Sequence, residues 1–499
     1  MIISFKKITA TACLSLLLWS TSQASLSGKY FSKNQAMRIA ENEQEIKNLV
    51  IKFKDSSRIR KEQGVLKITS RNISLEDRQE INSINNLLLA YDVRPQRLLD
   101  SFSVLEIDQL MIDAQSKSRD LLSDLNSYFK IDSRLLSRRN LTQLTELLNQ
   151  FLIVEIAYPD LKEMSLTFDG YIGNITLPGM TPQLINHQKY LYPNPTGVDL
   201  LFAWTQPGGD GKNSKVIVYD NSYNKNHEDL PKLFYASNSN DVDPAHGTAV
   251  LGILGAKNNK YGYKGGVYNS PLGFHRAATK FGSHADSLLT AAKQLNEGDF
   301  IVIEVAKQVN SLGFECDCNP TQANSVPLEY FPAEFDAIKT ITAMGVVVVS
   351  AAGNGCVDFD SPVFEGMFSE NSLSSGSVWV TASKADKKEP TCYSNFGQRI
   401  DFNAWGEQVA ALGHVKANES PIFDEGPNRL YGANFGGSSS ATPIVSSCLA
   451  SLQSQFIEKY GFALPPGQLK TLLSQNGQLQ EGVYEKYIGI MPDMLQIDF

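Results

Sequence analysis

Four short apolar segments in the second half of the chain constrain its fold more than any other feature. These segments are Val216–Tyr219, Phe300–Glu304, Val346–Ser350 and Val378–Val380. Helical patterns separate them, over Ser287–Asn296, Phe331–Met344 and Ser440–Lys459. Strands that are continuously apolar are buried on both faces, and helices between them supply the cover. The pattern therefore predicts an α/β fold, with a doubly wound, mostly parallel sheet that has helices on both faces.

A region of different composition precedes these strands. Of 36 glycines only two lie before Gly170, and residues 25–180 contain no histidine. Asn48–Lys54 alternates apolar and polar residues, which is typical of a half-buried strand, and helical spacing follows. Leu152–Tyr158 predicts a closing strand that ends at Pro159. We therefore expect a smaller α+β region without catalytic residues, which is structural or inhibitory.

The first two dozen residues have the order of a secretory signal. Lys6 and Lys7 precede the apolar stretch Ile8–Trp19, and Ser22–Ala24 supplies the small residues of a cleavage site. A membrane anchor is the alternative, but the stretch is shorter than the ~20 residues that span a bilayer. No later stretch is long and apolar enough to span. We expect cleavage after Ala24 and export, to the extracellular medium or the periplasm.

The overall charge excludes one class of partner. The chain of 499 residues has 45 basic and 53 acidic residues, and its formal net charge is −8. Nucleic acid held by a general basic field is therefore not expected as a partner. Since 42% of the residues are hydrophobic and 20% are charged, a largely disordered chain is also excluded.

Three reactive residues occur at strand ends or helix starts, where the active sites of open α/β sheets gather. Asp220 ends the first predicted strand, His246 opens a helix, and Ser439 begins the long last helix. A serine hydroxyl becomes a nucleophile when an imidazole takes its proton, and a carboxylate orients that imidazole. Asn354 directly follows another strand, and its side-chain N–H is suited to stabilise an oxyanion together with the backbone N–H of Ser439.

The order of these residues and the motifs around them resemble the subtilisin-like serine proteases. The resemblance covers roughly residues 190–499 and rests on Asp220, His246–Thr248, Asn354 and Gly437–Pro443. It implies a subtilisin-like fold and a secreted serine endopeptidase that cleaves peptide bonds through an acyl-enzyme. Protein or peptide substrates are the implied partners.

The resemblance also implies a division of the chain. Residues 1–24 are the expected signal peptide, residues 25–180 a prosegment and residues 181–499 the peptidase domain. The prosegment of such enzymes assists folding and blocks the cleft, so this chain is expected to be a self-processing zymogen. We expect the prosegment to be removed, and its retention as a domain is the alternative.

By the same resemblance Ala351, Ala352 and Gly353 line the first specificity pocket. The segment that usually forms the opposite wall is atypical here, because it contains Glu304 and Lys307. These two residues either shape the groove or pair with each other. No preferred substrate side chain follows from this sequence.

Cofactors and metals are not required for the expected chemistry, but a structural calcium ion is compatible with the family. Asp241, Asp243, Asn258 and Asn259 offer loop oxygens of the kind that calcium prefers. No residue is assigned as a ligand, since acidic turns are common without metal.

Five cysteines follow the expected signal peptide, namely Cys316, Cys318, Cys356, Cys392 and Cys448. In an oxidising compartment we expect one or two disulfides around the loop that contains Cys316 and Cys318. Cys448 is expected to be a buried free thiol. A zinc site built on the Cys-x-Cys motif is the alternative, but no partner pair lies at useful spacing.

Two other functions remain open. In the family, Thr or Ser and then Gly usually follow the catalytic aspartate, whereas Asn221 and Ser222 follow here. A catalytically inactive binding or adhesion module is therefore the first alternative. An esterase or acyltransferase with the same triad is the second, although the chain lacks the Gly-x-Ser-x-Gly motif of common esterases.

Overall fold

A computed structural model gives the fold of the chain. It describes residues 30–70, 74–165, 180–237, 244–277, 282–369, 372–385, 387–416, 419–482 and 485–497. The expected signal peptide lies outside these residues, and so do Asp241 and Asp243. Among the helices within these ranges, none combines the length and the apolar composition needed to cross a membrane.

The front region, residues 30–165, is an α+β unit. Its elements are α1 (Lys33–Asn42), β1 (Ile46–Phe53), β2 (Ile59–Glu62), β3 (Val65–Ile68), α2 (Leu75–Ala90), β4 (Gln96–Arg97), α3 (Val104–Lys117), β5 (Tyr128–Asp132), α4 (Arg138–Gln150), β6 (Val154–Leu161) and β7 (Glu163–Ser165). An antiparallel sheet has the order β4-β5-β1-β6, and β2 and β3 form a hairpin. The expectation that Pro159 ends the closing strand is wrong, because Pro159 lies inside β6. An edge strand such as β6 tolerates a residue without an N–H.

The second region contains the large sheet. Its elements are α5 (Leu200–Ala203), β8 (Val216–Asp220), β9 (Tyr235–Ala236), α6 (Ala245–Gly255), β10 (Leu272–Arg276), α7 (His284–Ala292), β11 (Phe300–Ile303), β12 (Val305–Gln308), β13 (Ser325–Pro327), α8 (Pro332–Ala343), β14 (Val347–Ala351), β15 (Val378–Ser383), β16 (Phe402–Trp405), β17 (Val409–Leu412), β18 (Phe423–Asp424), β19 (Leu430–Phe435), α9 (Ser438–Tyr460), α10 (Pro466–Ser474), β20 (Gly477–Gln478) and β21 (Met491–Pro492). Seven parallel strands have the order β16-β15-β14-β11-β8-β10-β9. The predicted doubly wound, mostly parallel α/β sheet is confirmed.

Side chains from β8 show why these strands are continuously apolar. Val216 and Val218 pack into the core cluster that contains residues of α6 and α9. Ile217 and Tyr219 point to the opposite face and pack with residues of α7 and α8. Both faces of the sheet are therefore buried at β8, which explains the continuous apolar run of this strand.

The front sheet is also buried on both faces, which corrects the expectation of a half-buried β1. Leu49 and Ile51 pack in a cluster with side chains of α2 and α4. On the opposite face, Val50 and Tyr128 join the cluster that contains α7 and α8 of the second region. Lys52 is fully buried, and its Nζ lies 4.7 Å from the centre of the Tyr128 ring. The face of β1 that carries Asn48, Val50 and Lys52 is thus buried on the side of the second region and is not in contact with water.

Candidate active site

The structure brings Asp220 and His246 into contact. Asp220 is the last residue of β8, and His246 is the second residue of α6. Both side chains are buried, and His246 Nδ1 lies 2.6 Å from Asp220 Oδ2. The backbone N–H of Asn221 donates to Asp220 Oδ1 at 2.7 Å, so the unusual residue after the aspartate supports the carboxylate through its main chain.

A glycine after His246 is required by close packing. A Cβ on Gly247 would lie 2.2 Å from the backbone oxygen of Ser222 and 3.2 Å from Asp220 Oδ2. Real Cβ atoms do not approach backbone atoms so closely. The start of α6 can therefore lie against the end of β8 only where this position has no side chain.

Ser439 lies in the first turn of α9, directly after a glycine turn. Gly437 has a φ of +81°, and a Cβ there would lie 2.8 Å from Asn354 Nδ2. Ser439 is fully buried, and its Oγ makes no hydrogen bond to any residue that the structure describes. The first N–H groups of a helix have no acceptor within the helix, and that end is positively polarised. The backbone at Ser439 is therefore suited to bind an anion.

The Asp220–His246 pair and the start of α9 lie on the same side of the sheet. Residues of α6 and α9 share one core cluster. The His246 ring also contacts the ring of Phe435, which ends β19 shortly before α9, with 5.5 Å between ring centres. Ser439 and His246 share no hydrogen bond, since the serine Oγ has no partner in the described part of the chain. Catalytic hydrogen bonds are often long before substrate binds.

Asn354 follows β14, and its side-chain amide is held from two sides. Its Oδ1 accepts a hydrogen bond from the backbone N–H of Ser438 at 2.7 Å. Its Nδ2 donates to Oε1 of Gln322 at 3.1 Å. The amide group is therefore held at its oxygen by the backbone of Ser438 and at its nitrogen by Gln322. Gln322 was not identified from the sequence, because it lies in a loop without a recognisable motif.

The three residues expected to line the first specificity pocket lie in different surroundings. Ala351 packs with Ala306 of β12 and with Met164 of β7. Ala352 is buried in the core cluster on the α7 and α8 side of the sheet. The backbone N–H of Gly353 donates to Oγ of Ser438 at 3.2 Å. Ala351 thus lies against β7, a strand of the front region.

The alternative in which Glu304 and Lys307 pair with each other is wrong. Lys307 is fully buried, and its Nζ lies 2.5 Å from Asp160 of β6 and 2.9 Å from Glu334 of α8. The backbone N–H of Glu304 donates to the carbonyl of Tyr219, beside the end of β8. Neither Glu304 carboxyl oxygen has a hydrogen-bond partner among the described residues. Burial raises the pKa of Glu304 well above its usual range, and the charge of Asp220 raises it further.

The expected disulfides and free cysteine are confirmed. Cys316 is bonded to Cys356, Cys318 is bonded to Cys392, and Cys448 is a buried free thiol. Because the four sulfur atoms are bonded in pairs, they are not thiolate ligands, and the zinc alternative does not fit them.

One of the expected calcium donors has protein partners at both ends of its amide. Asn259 Nδ2 donates to Asp229 Oδ1 at 2.8 Å, and Asn259 Oδ1 accepts from the backbone N–H of Tyr261 at 2.9 Å. Burial raises the pKa of Asp229 to about 7. The side chain of Asn259 therefore bonds within its own turn and to Asp229, and a calcium site in this chain stays a prediction.

The profile of the Subtilase family (Peptidase_S8) matches residues 174–488, which is more than half of the chain. The chain belongs to the subtilase family. It is 28% identical over 260 residues to the Minor extracellular protease Epr of Bacillus subtilis (strain 168), a match that covers 50% of this chain and 33% of that protein. The chain thus spans about a third of the length of this curated relative.

Two solved structures share the fold at low identity. The epidermin leader peptide processing serine protease (EpiP) of Staphylococcus aureus has a TM-score of 0.52 at 17% identity, covering 91% of this chain and 98% of that chain. Fervidolysin of Fervidobacterium pennivorans, a keratinolytic enzyme related to subtilisin, has a TM-score of 0.53 at 13% identity, covering 91% and 61%. Both alignments extend over most of this chain, so the shared architecture is not limited to the large sheet.

Proposed function

We propose that this subtilase is a serine endopeptidase that acts through an acyl-enzyme. Ser439 attacks the peptide carbonyl, His246 takes its proton and later gives it to the leaving amine, and Asp220 orients the imidazole. Asn354 Nδ2 and the backbone N–H of Ser439 stabilise the oxyanion. The observation that carries this proposal is the buried 2.6 Å contact between His246 Nδ1 and Asp220 Oδ2, in a chain of the subtilase family.

We further propose that residues 25–180 form a prosegment that inhibits the peptidase. In support, β7 pairs antiparallel with β12, with Met164 opposite Ala306. Met164 also packs against Ala351, which is expected to bind substrate. Peptides bind to many proteins by adding a strand to a sheet edge in this way. On this proposal β7 occupies the path of a substrate, and self-cleavage falls after β7 and before Leu200.

The contacts between the two regions support a prosegment that stays bound after the chain is cut. The rings of Tyr30 and Phe335 stack with 3.9 Å between their centres. The Tyr128 hydroxyl donates to the buried carboxylate of Asp336 at 2.7 Å. These groups lie in one continuous core cluster or at its edge. Release of the prosegment therefore requires its degradation in addition to the cut.

The last part of the proposal is that the protein is exported. Residues 1–24 have the charge and hydropathy order of a signal peptide, and the curated relative is named as an extracellular protease. Protein or peptide substrates are expected outside the cytoplasm, where the two disulfides are stable.

The test compares the wild type with Ser439→Ala by intact mass, by mapping of the N-terminus and by labelling with a fluorophosphonate. We expect the wild type to shorten itself after β7 and to be labelled, whereas Ser439→Ala stays long and unlabelled, with peptidase activity lower by on the order of 10⁶-fold. Identical shortening of both proteins would show that another protease makes the cut.

An inactive binding module is the second candidate function, because Ser439 Oγ makes no hydrogen bond within the described residues. Absence of label on the wild type, after its prosegment has been removed by an added protease, would favour this candidate. Labelling at Ser439 would exclude it.

A further inference from the structure

The loop between β12 and β13, residues 309–324, is fastened to the segment that carries Asn354. The disulfide Cys316–Cys356 joins the loop to a position two residues after Asn354. Within the loop, Asn319 Nδ2 donates to the backbone carbonyl of Asn354 at 3.0 Å. The loop and the asparagine are therefore held together by a covalent bond and by a hydrogen bond to the main chain.

Gln322, in the same loop, adds a contact to the side chain of Asn354. Gln322 is 3% exposed, and its Oε1 accepts a hydrogen bond from Asn354 Nδ2 at 3.1 Å. The other end of the Asn354 amide accepts from the backbone N–H of Ser438 at 2.7 Å. A primary amide has two N–H donors. The contact with Gln322 uses one of them, and the second is available to an oxyanion.

We propose that Gln322 is a positioning residue for the reaction, acting through Asn354; this inference rests on the proposed function. With Ser438 on one side and Gln322 on the other, the amide plane of Asn354 is fixed before substrate arrives. Donors that are already oriented need no reorganisation when charge develops in the transition state. Without the acceptor on Gln322, the amide turns to satisfy its buried N–H elsewhere, and the oxyanion donor is misaligned.

The test removes the acceptor while preserving the size of the side chain, with Gln322→Met in the self-processed enzyme. We expect kcat to fall about 10-fold and KM to change less than about twofold, since removing a whole oxyanion donor costs on the order of 10²–10³ in kcat. In an Asn354→Ala background, Gln322→Met should cause no further loss, because the residue acts only through that amide.

Gln453→Met is the matched control for loss of a buried amide. Gln453 is fully buried in α9, donates to the carbonyl of Leu464 at 3.0 Å and accepts from its N–H at 3.1 Å. It lies more than three helical turns from Ser439. We expect this control to lower the melting temperature and to leave kcat unchanged.

Gln322→Glu provides a readout that a merely structural role would not change, and it serves if the methionine variant fails to fold. The glutamate keeps an acceptor oxygen but places a negative charge near the oxyanion. The ratio of its kcat to that of the wild type should therefore fall as pH rises through the pKa of the new carboxyl.

Three results would overturn the proposal: unchanged kcat in folded Gln322→Met, an equal loss in the Asn354→Ala background, or a Gln322→Glu ratio independent of pH. A rise in kcat would also overturn it, because Gln322 would then compete with substrate. Failure of the proposed function is distinguished from all of these, since the wild type itself would then be as inactive as Ser439→Ala.

Discussion

The two main sheets are both buried on two faces, but the helices that cover them come from different parts of the chain. In the seven-stranded sheet, Val216 packs with residues of α6 and α9, and Ile217 packs with residues of α7 and α8. These four helices belong to the same region as the sheet. The four-stranded front sheet covers Leu49 with its own helices, whereas Val50 packs in the cluster of α7 and α8. A sheet must bury both apolar faces to form a layered core. The front region therefore completes its core against the second region.

Buried charged groups are paired at the interface between the two regions but not beside Asp220. At the interface between the two regions, Lys307 contacts Asp160 of the front region and Glu334 of the second region. Near the candidate active site, Glu304 is buried without a hydrogen-bond partner in the described ranges, and the charge of Asp220 acts on it. The charges at the interface compensate one another, whereas burial of the Glu304 carboxyl favours its protonated form.

The largest expected effect is a loss of activity that leaves the association of the two regions unchanged. Asp220→Asn should lower kcat/KM on the order of 10⁴-fold, because the imidazole of His246 loses the carboxylate that sets its tautomer. The association of the two regions should not change. Kinetics on a peptide substrate and the melting temperature measure the two quantities. Asp210→Asn, in a surface turn where Asp210 bonds Asn269, is the control, and an equal loss of activity there would contradict the assignment.

The second prediction tests the docking charges. Lys307→Met leaves Asp160 and Glu334 buried without their cation, and breaking such a pair costs about 3–5 kcal/mol of unfolding free energy. Denaturant unfolding of the uncleaved Ser439→Ala protein measures the change.

Lys117→Met is the control for this prediction. The Lys117–Glu297 pair also links the two regions, at 3.0 Å, but both side chains are about half exposed. An exposed pair contributes about 1 kcal/mol or less. Similar losses for the two lysine variants would show that burial of the charges does not decide how the regions are held together.

The smallest effect concerns the unpaired carboxyl. Burial, with the charge of Asp220, raises the pKa of Glu304, so the folded protein keeps this group protonated while the unfolded chain ionises it near pH 4.3. The contribution of Glu304 to the stability of the wild type should therefore fall as pH rises above about 4. Glu304→Gln does not titrate, and its advantage in unfolding free energy should grow from near zero at pH 4 to at least about 1 kcal/mol at pH 7. Exposed Glu146→Gln is the control, and an advantage that is constant with pH would refute the explanation.

Local patterns in the sequence predicted the central strands of the large sheet and the helices beside them. The four predicted apolar segments are β8, β11, β14 and β15, because residues buried on both faces leave a continuous apolar run. Among the strands of the two main sheets, β4, β5, β9, β10 and β16 were not predicted. Pro159 was expected to end a strand that in fact continues, since the pattern does not show which strand lies at an edge.

For the candidate site, too, the sequence predicted one part and the structure was needed for the rest. Residue type and order alone indicated Asp220, His246, Asn354 and Ser439, because nucleophilic catalysis needs those groups. Their contacts, and the role of Gln322, depend on loops that are distant along the chain. The spacing of residues along the chain does not show which atoms a folded, disulfide-linked loop brings together. Only the tertiary structure could therefore provide these contacts and the role of Gln322.

By itself, the sequence determined the parallel sheet, the family resemblance and the candidate catalytic residues, since each depends on local periodicity or on residue chemistry. Only the tertiary structure decided that the polar face of β1 is an interface, and that Lys307 contacts Asp160 and not Glu304. Burial of a charged or polar side chain is a property of what packs against it. In this protein, segments that lie more than a hundred residues apart supply that packing.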